Sequence, residues 1–272
     1  MYIYRINFLF LMLFATSNVF AAYYPTSSWE ISSSEDQQVR SDNVDALVNL
    51  AFLDDSTQAV VVIKNGKIIS EKYAEGYDKN SHGTSWSMAK SYYAALIGIS
   101  IDRGEIGGLD DKVGDYLTYF NDERSEITIR DLLDMSSGLD FPKDEHETMF
   151  FQEDHLKYAM GVGVEKSAGL KFEYNNVNSM LLGDILIATT GKKADELLKE
   201  RILDPIGVTD YKLWKDENGN VLTYCCVDMS ARDYSKIGLL FSRNGNWDGK
   251  QLISKQYIDE TFQVVWNITP ER

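Results

Sequence analysis

The chain has 272 residues, 44% hydrophobic and 25% charged, with 4 Pro, 19 Gly and 2 Cys. That composition excludes intrinsic disorder, collagen-like repeats and a disulfide scaffold, and the length allows one large domain or two small ones. Acidic residues outnumber basic ones 42 to 27, a formal net charge of −15, which repels nucleic-acid phosphates and anionic lipid alike.

Residues 1–21 read as a signal peptide. Arg5 and the amino terminus precede the apolar run Phe8–Phe14, a polar break at Thr16–Asn18, and the small-x-small pattern Val19-Phe20-Ala21. Cleavage is expected after Ala21, giving a periplasmic or secreted protein with no membrane partner. The alternative, an uncleaved anchor, needs about 20 apolar residues, far more than this run supplies. Export permits disulfides, yet the only cysteines are the neighbours Cys225 and Cys226. Adjacent Cα atoms lie about 3.8 Å apart, below the usual disulfide range, so a vicinal bridge is strained and two free or partly buried thiols are expected. His82, His146 and His155 lack helical i, i+4 spacing, so neither a metal nor a cofactor is expected.

After an N-terminal lead, Val44, Leu47, Val48 and Phe52 recur at helical spacing and predict an amphipathic helix over 42–54, completing an N-terminal region 22–57. Ala59–Ile63 and Lys67–Tyr73 flank Asn65-Gly66, the pair that supplies the positive φ angles of a type I′ hairpin. A helix follows from Ser87 to Asp102, with Gly104 at its C-cap, and Thr128 with Asp131 forms a capping box for a helix through Met135. Further helices are expected over His146–Met160, Asn176–Thr190 closed by Gly191, and Ala194–Leu203 ended by Pro205. Tyr211–Trp214 and Val221–Cys225, split by Asn218-Gly219, predict a second small hairpin. Ser230 with Asp233 starts a helix to Ser242, and Ser254 caps one more. The inventory is short of strands. The first hairpin is apolar on both faces and suits a covered sheet, but two strands alone rarely make a stable one.

Most catalytic motifs fail. Gly83-Thr84-Ser85-Trp86-Ser87 lacks the final glycine of a nucleophile elbow, and there is no phosphate loop or dinucleotide fingerprint. Ser87-Met88-Ala89-Lys90 succeeds. A lysine three residues after a serine lies on the same helix face, where a neutral amine can accept the hydroxyl proton. Neutrality requires burial or nearby charge, and the helix start offers N–H groups to an oxyanion. A solvated surface lysine is the plainer reading. The helix behind this pair, however, is apolar nearly all round, which makes it a core element with a rigid mouth. Tyr174-Asn175-Asn176 is a second candidate, because a tyrosine can shuttle a proton to a leaving group. Tyr119-Phe120-Asn121 has the same pattern but lies in an acidic loop, where a structural tyrosine is the better reading.

The stretch Gly83–Ser91 resembles the serine β-lactamase-related hydrolases, most closely the class C-like branch with 6-aminohexanoate oligomer hydrolases and related esterases. The blocks Asp102–Ile106, Leu109–Val113, Ile129–Leu139, Phe172–Asn176 and Ser230–Gly238 are similar to that branch, and the resemblance covers roughly residues 58 to 260. It implies an α/β fold of the β-lactamase/transpeptidase type, an antiparallel sheet flanked by helices plus a helical region, over a domain 58–272. It also implies Ser87 as acylated nucleophile, Lys90 as its base, Tyr174 as proton relay and Asn176 as a substrate-binding amide. The reaction would be hydrolysis of a small amide or ester without metal or cofactor. The Ser136-Ser137-Gly138 turn is taken as structural. The family's third motif, a Lys- or His-Thr-Gly or glycine-rich strand, has no match after Trp247, and Gly249 is the last glycine. A C-terminally truncated chain is therefore expected, with a rearranged site as the alternative. An impaired or inactive chain remains open, as does a β-lactamase or D-peptidase using the same nucleophile.

Overall fold

The computed structural model describes residues 23–140 and 148–266. The predicted leader and His146 lie outside the described residues. The first regular element is helix α1 (Ser41–Ala51), which buries Val44 and Val48 but leaves Leu47 about half exposed. It ends before the predicted residue 54; Phe52 lies beyond it, under the Lys72 ammonium at 4.5 Å. Next come strands β1 (Ala59–Lys64) and β2 (Lys67–Tyr73), antiparallel from Ala59↔Tyr73 to Lys64↔Lys67 with a bulge between Val62 and Ile63. Their turn has φ 53° at Asn65 and 83° at Gly66, both positive as a type I′ turn requires. Gly66 has a second reason to be glycine: a Cβ there would come 2.2 Å from the Tyr23 carbonyl oxygen.

The hairpin is not left bare. α1 packs on both strands, and residues 30–32 run along β2, with Ile68 N–H donating to Glu30 O and Ser32 N–H to Ile68 O. Among the described residues β1 pairs with β2 alone, so the strand shortage legible in the sequence persists at this edge.

Strand β3 (His82–Thr84) leads into a single 3₁₀ turn, Trp86–Met88, and then helix α2 (Ala89–Asp102). Helix α3 (Ile129–Leu133) carries the predicted Thr128/Asp131 capping box but stops short of Met135, whose φ of 56° breaks the helix. The helix expected over 146–160 is two pieces in its described part, a 3₁₀ turn at Thr148–Phe151 and α4 (His155–Gly161) capped by Asp154. Helix α5 (Asn176–Thr190) ends at Gly191 with φ 71°, as predicted. α6 (Ala194–Leu198) continues into a wider π-type turn through Leu203. Then follow β4 (Tyr211–Leu213), β5 (Val227–Ser230), α7 (Ala231–Ser242), the short pair β6 (Asn246–Trp247) and β7 (Lys250–Gln251), and α8 (Lys255–Thr261). α7 packs on β1.

Two expectations fail in one place. The second hairpin does not pair 211–214 with 221–225: β4 pairs with β5, and β5 also pairs with β3, giving the order β3-β5-β4. The Asn218-Gly219 turn closes only a single bridge, Lys215↔Val221. Residues 222–226 then turn, with Cys225 N–H donating to Leu222 O and φ 72° at Cys226. An extended strand would send adjacent side chains to opposite faces, whereas this turn brings the two sulfurs together. Cys225 and Cys226 are joined as a vicinal disulfide in place of the free thiols expected.

The apolar interior centres on α2 and α5, which pack on each other and bury residues on nearly every side. Glycines permit the closest approaches. A Cβ on Gly98 would strike the Tyr257 ring of α8, and one on Gly183 would come 2.7 Å from Thr223 Cγ2. Residues 221–226 are thereby held flat against α5. Among the described residues no helix is long and apolar enough to cross a membrane.

Candidate active site

The turn from β3 into α2 is tied to β5, to α7 and to the 222–226 turn. Ser85 N–H donates to Val227 O at 2.8 Å, and Val227 N–H donates back to Ser85 Oγ at 3.0 Å. Tyr234 O–H caps the same crossing by donating to Gly83 O at 2.8 Å. Trp86 then takes φ 45°, an unusual backbone for a bulky residue that persists only where surroundings enforce it. They do so here: its carbonyl accepts from Ser85 Oγ at 3.1 Å and from Cys226 N–H at 3.3 Å. Strand, sharp turn and buried helix thus present Ser87 at the surface, although the glycine of a nucleophile elbow is missing. The N–H groups of Met88 and Ala89 are spent inside the 3₁₀ turn, so the helix start offers an oxyanion fewer free donors than expected.

Lys90 lies one turn into the fold. Its Nζ is 3.1 Å from Ser87 Oγ and donates to the Tyr224 carbonyl at 2.7 Å. The ammonium sits 4.8 Å from the centre of the Tyr174 ring and 5.7 Å from that of Tyr224. Burial pushes this amine down to about 7, because a low-dielectric surrounding penalises the charged form.

The segment bearing Tyr174 is pinned from two sides. Glu173 N–H donates to Met135 O at 2.7 Å, and Lys166 binds the Glu173 carboxylate at 3.0 Å. Asn175 caps α5 by accepting from Val177 N–H at 3.0 Å. Tyr174 itself is 41% exposed, with its ring against the Lys90 amine. The fold therefore brings Ser87, Lys90 and Tyr174 together. Asn176 begins α5 two residues after Tyr174, and its amide oxygen is buried without a hydrogen-bond partner. The competing Tyr119 donates to Asp184 of α5 at 2.7 Å and ties its loop to the core. Ser136 and Ser137 are likewise engaged within the fold, with Asp131 and Asn178.

Sequence reasoning missed residues that act through the main chain. Tyr224 contributes a carbonyl and Cys226 an N–H, groups every residue carries, so no motif marks them. An apolar groove of about 580 Å³ opens beside Met88 and Lys90 and is lined further along by Tyr92, Leu182, Phe241 and Phe262. A larger polar cleft, between Asp140 and the 151–163 stretch, contains none of the predicted site residues. Among the described residues no three His, Cys, Asp or Glu side chains cluster as metal ligands would.

Residues 53–238 match the family model described as Beta-lactamase. A D-aminopeptidase of Brucella anthropi is 28% identical over 178 residues, covering 58% of this chain and 33% of its own length. The chain spans about a third to two fifths of the length of the curated relatives it matches. Among solved structures, a 6-aminohexanoate-dimer hydrolase homologue of Bacillus anthracis superposes with a TM-score of 0.71 at 21% identity, over 88% of this chain and 67% of that one. An octameric penicillin-binding protein homologue of Pyrococcus abyssi gives 0.66 at 19%, over 85% and 62%. The fold is thus the α/β architecture of the β-lactamase/transpeptidase type, as the sequence implied.

Proposed function

The chain belongs to the Beta-lactamase family, a family of hydrolases, and we propose that within it the chain is an exported serine hydrolase working through an acyl-enzyme on Ser87. Neutral Lys90 accepts the Ser87 hydroxyl proton as Oγ attacks the substrate carbonyl, and Tyr174 passes a proton to the departing amine or alcohol. The C–N or C–O bond breaks, and water then releases the acid and restores the serine. Asn176, at the start of α5, is assigned to substrate binding. One observation carries this reading: an amine held 3.1 Å from a serine hydroxyl and lowered by burial to about 7, which leaves an appreciable neutral fraction at physiological pH. Relatives named as a D-aminopeptidase and an N-acetylmuramyl-L-alanine amidase support an amide substrate over an ester. Export rests on the leader-like residues 1–21.

A fluorophosphonate probe tests the nucleophile directly. Peptide mapping of the labelled protein is expected to find the adduct on Ser87, and Ser87→Ala is expected to lose it. A folded protein that stays unlabelled favours the inactive reading. Turnover of nitrocefin, short-chain p-nitrophenyl esters, D-aminoacyl amides and aminohexanoate dimer then separates the substrate classes.

A further inference from the structure

Tyr224 is buried at both ends. Its carbonyl accepts from Lys90 Nζ at 2.7 Å, and its phenol oxygen lies 2.9 Å from His155 Nδ1. Both side chains are deep, each residue only 3% exposed. His155 opens α4, and its N–H donates to Asp216 Oδ2 at 2.9 Å. Asp216 is locked in turn by Asn220, through N–H at 2.8 Å and Nδ2 at 2.9 Å. The charges nearest the His155 ring are the carboxylates of Asp216 and Asp154, and its apolar neighbour is Phe150 at 6.2 Å. Burial nevertheless pushes its pKa down. A neutral imidazole with its proton on Nε2 leaves Nδ1 free to accept the Tyr224 hydroxyl.

This chain of contacts runs from a helix remote in sequence to the amine beside the nucleophile. We propose that His155 is a positioning residue: by accepting the Tyr224 hydroxyl it fixes the Tyr224 carbonyl, and that carbonyl holds the Lys90 amine against Ser87. The inference rests on Lys90 being the base for Ser87. A hydrogen bond between two buried side chains could serve packing alone, but here the anchored residue also supplies the acceptor for Nζ. A displacement of about 1 Å at such a point slows a positioned reaction by up to about a hundredfold.

The test uses the full chain carrying Tyr224→Phe, His155→Leu or His155→Asn, the last because its Oδ1 can accept near the position of Nδ1. Two quantities are followed: the rate of Ser87 labelling by the fluorophosphonate, and the titration midpoint of Lys90 by ¹³C NMR of labelled lysine, assigned with Lys90→Arg. Tyr224→Phe and His155→Leu are expected to slow labelling by about tenfold or more and to move the midpoint, with His155→Asn close to wild type. Unchanged labelling and midpoint in folded Tyr224→Phe and His155→Leu overturn the proposal. An equal loss in His155→Asn also overturns it, since that pattern marks packing alone. Should His155→Leu fail to fold, Tyr224→Phe decides. If wild type never labels yet the midpoint moves in the variants, the hydrolase reading fails while the coupling of His155 to Lys90 through Tyr224 stands.

Discussion

Replacing Lys90 by methionine removes the amine and keeps most of the apolar stem. Burial holds that amine at about 7 against 10.5 for a free lysine. Between those values the unfolded chain binds a proton that the folded chain has released. Native stability is therefore fullest above the unfolded value and is lost as pH falls toward the folded one, by about 1.4 kcal/mol per pH unit. Across the whole window the cost approaches about 5 kcal/mol, and below pH about 7 it is constant. Methionine escapes this cost but forfeits the contacts to Ser87 Oγ and the Tyr224 carbonyl, a loss of about 1–3 kcal/mol with the carbonyl left unpaired. Lys90→Met is thus expected to be inactive and more stable than wild type by about 2–4 kcal/mol at about pH 6, the gain vanishing near pH 9.5. Urea titrations at about pH 6, 8 and 9.5 measure this, provided the slopes of the two proteins agree. A stability difference that does not change with pH would refute the reasoning, because it would mean that Lys90 titrates as an exposed lysine does.

The same proton is expected to set the rate of Ser87 labelling. Labelling of Ser87 is expected to rise with pH and level off above about 7, falling about tenfold per unit below it; a pH-independent rate would remove Lys90 as the base. Glu105→Ala strands Arg201, whose side chain is 7% exposed and is held by both Glu105 oxygens at 2.7 and 2.8 Å and by Ser100 Oγ at 3.0 Å. Leaving that guanidinium buried and unpaired costs about 3–5 kcal/mol, and a loss below about 1 kcal/mol in urea unfolding would contradict it. Gly183→Ala places a Cβ 2.7 Å from Thr223 Cγ2. It is expected to cost about 1–3 kcal/mol and to slow Ser87 labelling, because it pushes the segment that bears Tyr224 away from α5.

Elements specified by neighbouring residues were legible in the sequence. The Asn65-Gly66 turn, the Thr128/Asp131 box and the Gly191 cap each place their own hydrogen bonds or positive φ locally, and all three stand in the structure. The Asp248-Gly249 turn of β6–β7 carries the same kind of signal, with φ 49° and 80°, but its two-residue strands are too short to show in a sequence pattern. β3, β4 and β5 lie beyond that reach. β5 pairs with β3 across some 140 residues of chain, Thr84↔Asp228 among them, and three- or four-residue strands have too few positions to show a period of two. Without that pairing, local signals favour joining 221–225 to 211–214 through the Asn218-Gly219 turn, which is present but closes one bridge.

The site divides along a similar line. Ser87 and Lys90 are three residues apart at a helix start, so helix geometry places them on one face, and Nζ lies 3.1 Å from Oγ. Tyr174 is marked by its Tyr-x-Asn pattern ahead of α5 and by the family resemblance; nothing local says that its ring meets the Lys90 amine. Which residues bury the amine is not legible in the sequence. Lys90 is lowered by burial, and residues distant in sequence lie against it, Tyr224 with its carbonyl and ring among them. A serine and lysine at this spacing on an open helix would keep an ordinary, protonated amine at neutral pH. The motif therefore identifies where an acyl group could be carried, while the turn at 222–226, fastened to Trp86 by Cys226 and to Lys90 by Tyr224, is expected to decide whether the lysine can act as a base. Substitutions in that turn should accordingly change the pH dependence of Ser87 labelling while leaving the serine itself in place, a separation that the tetrapeptide alone would never predict.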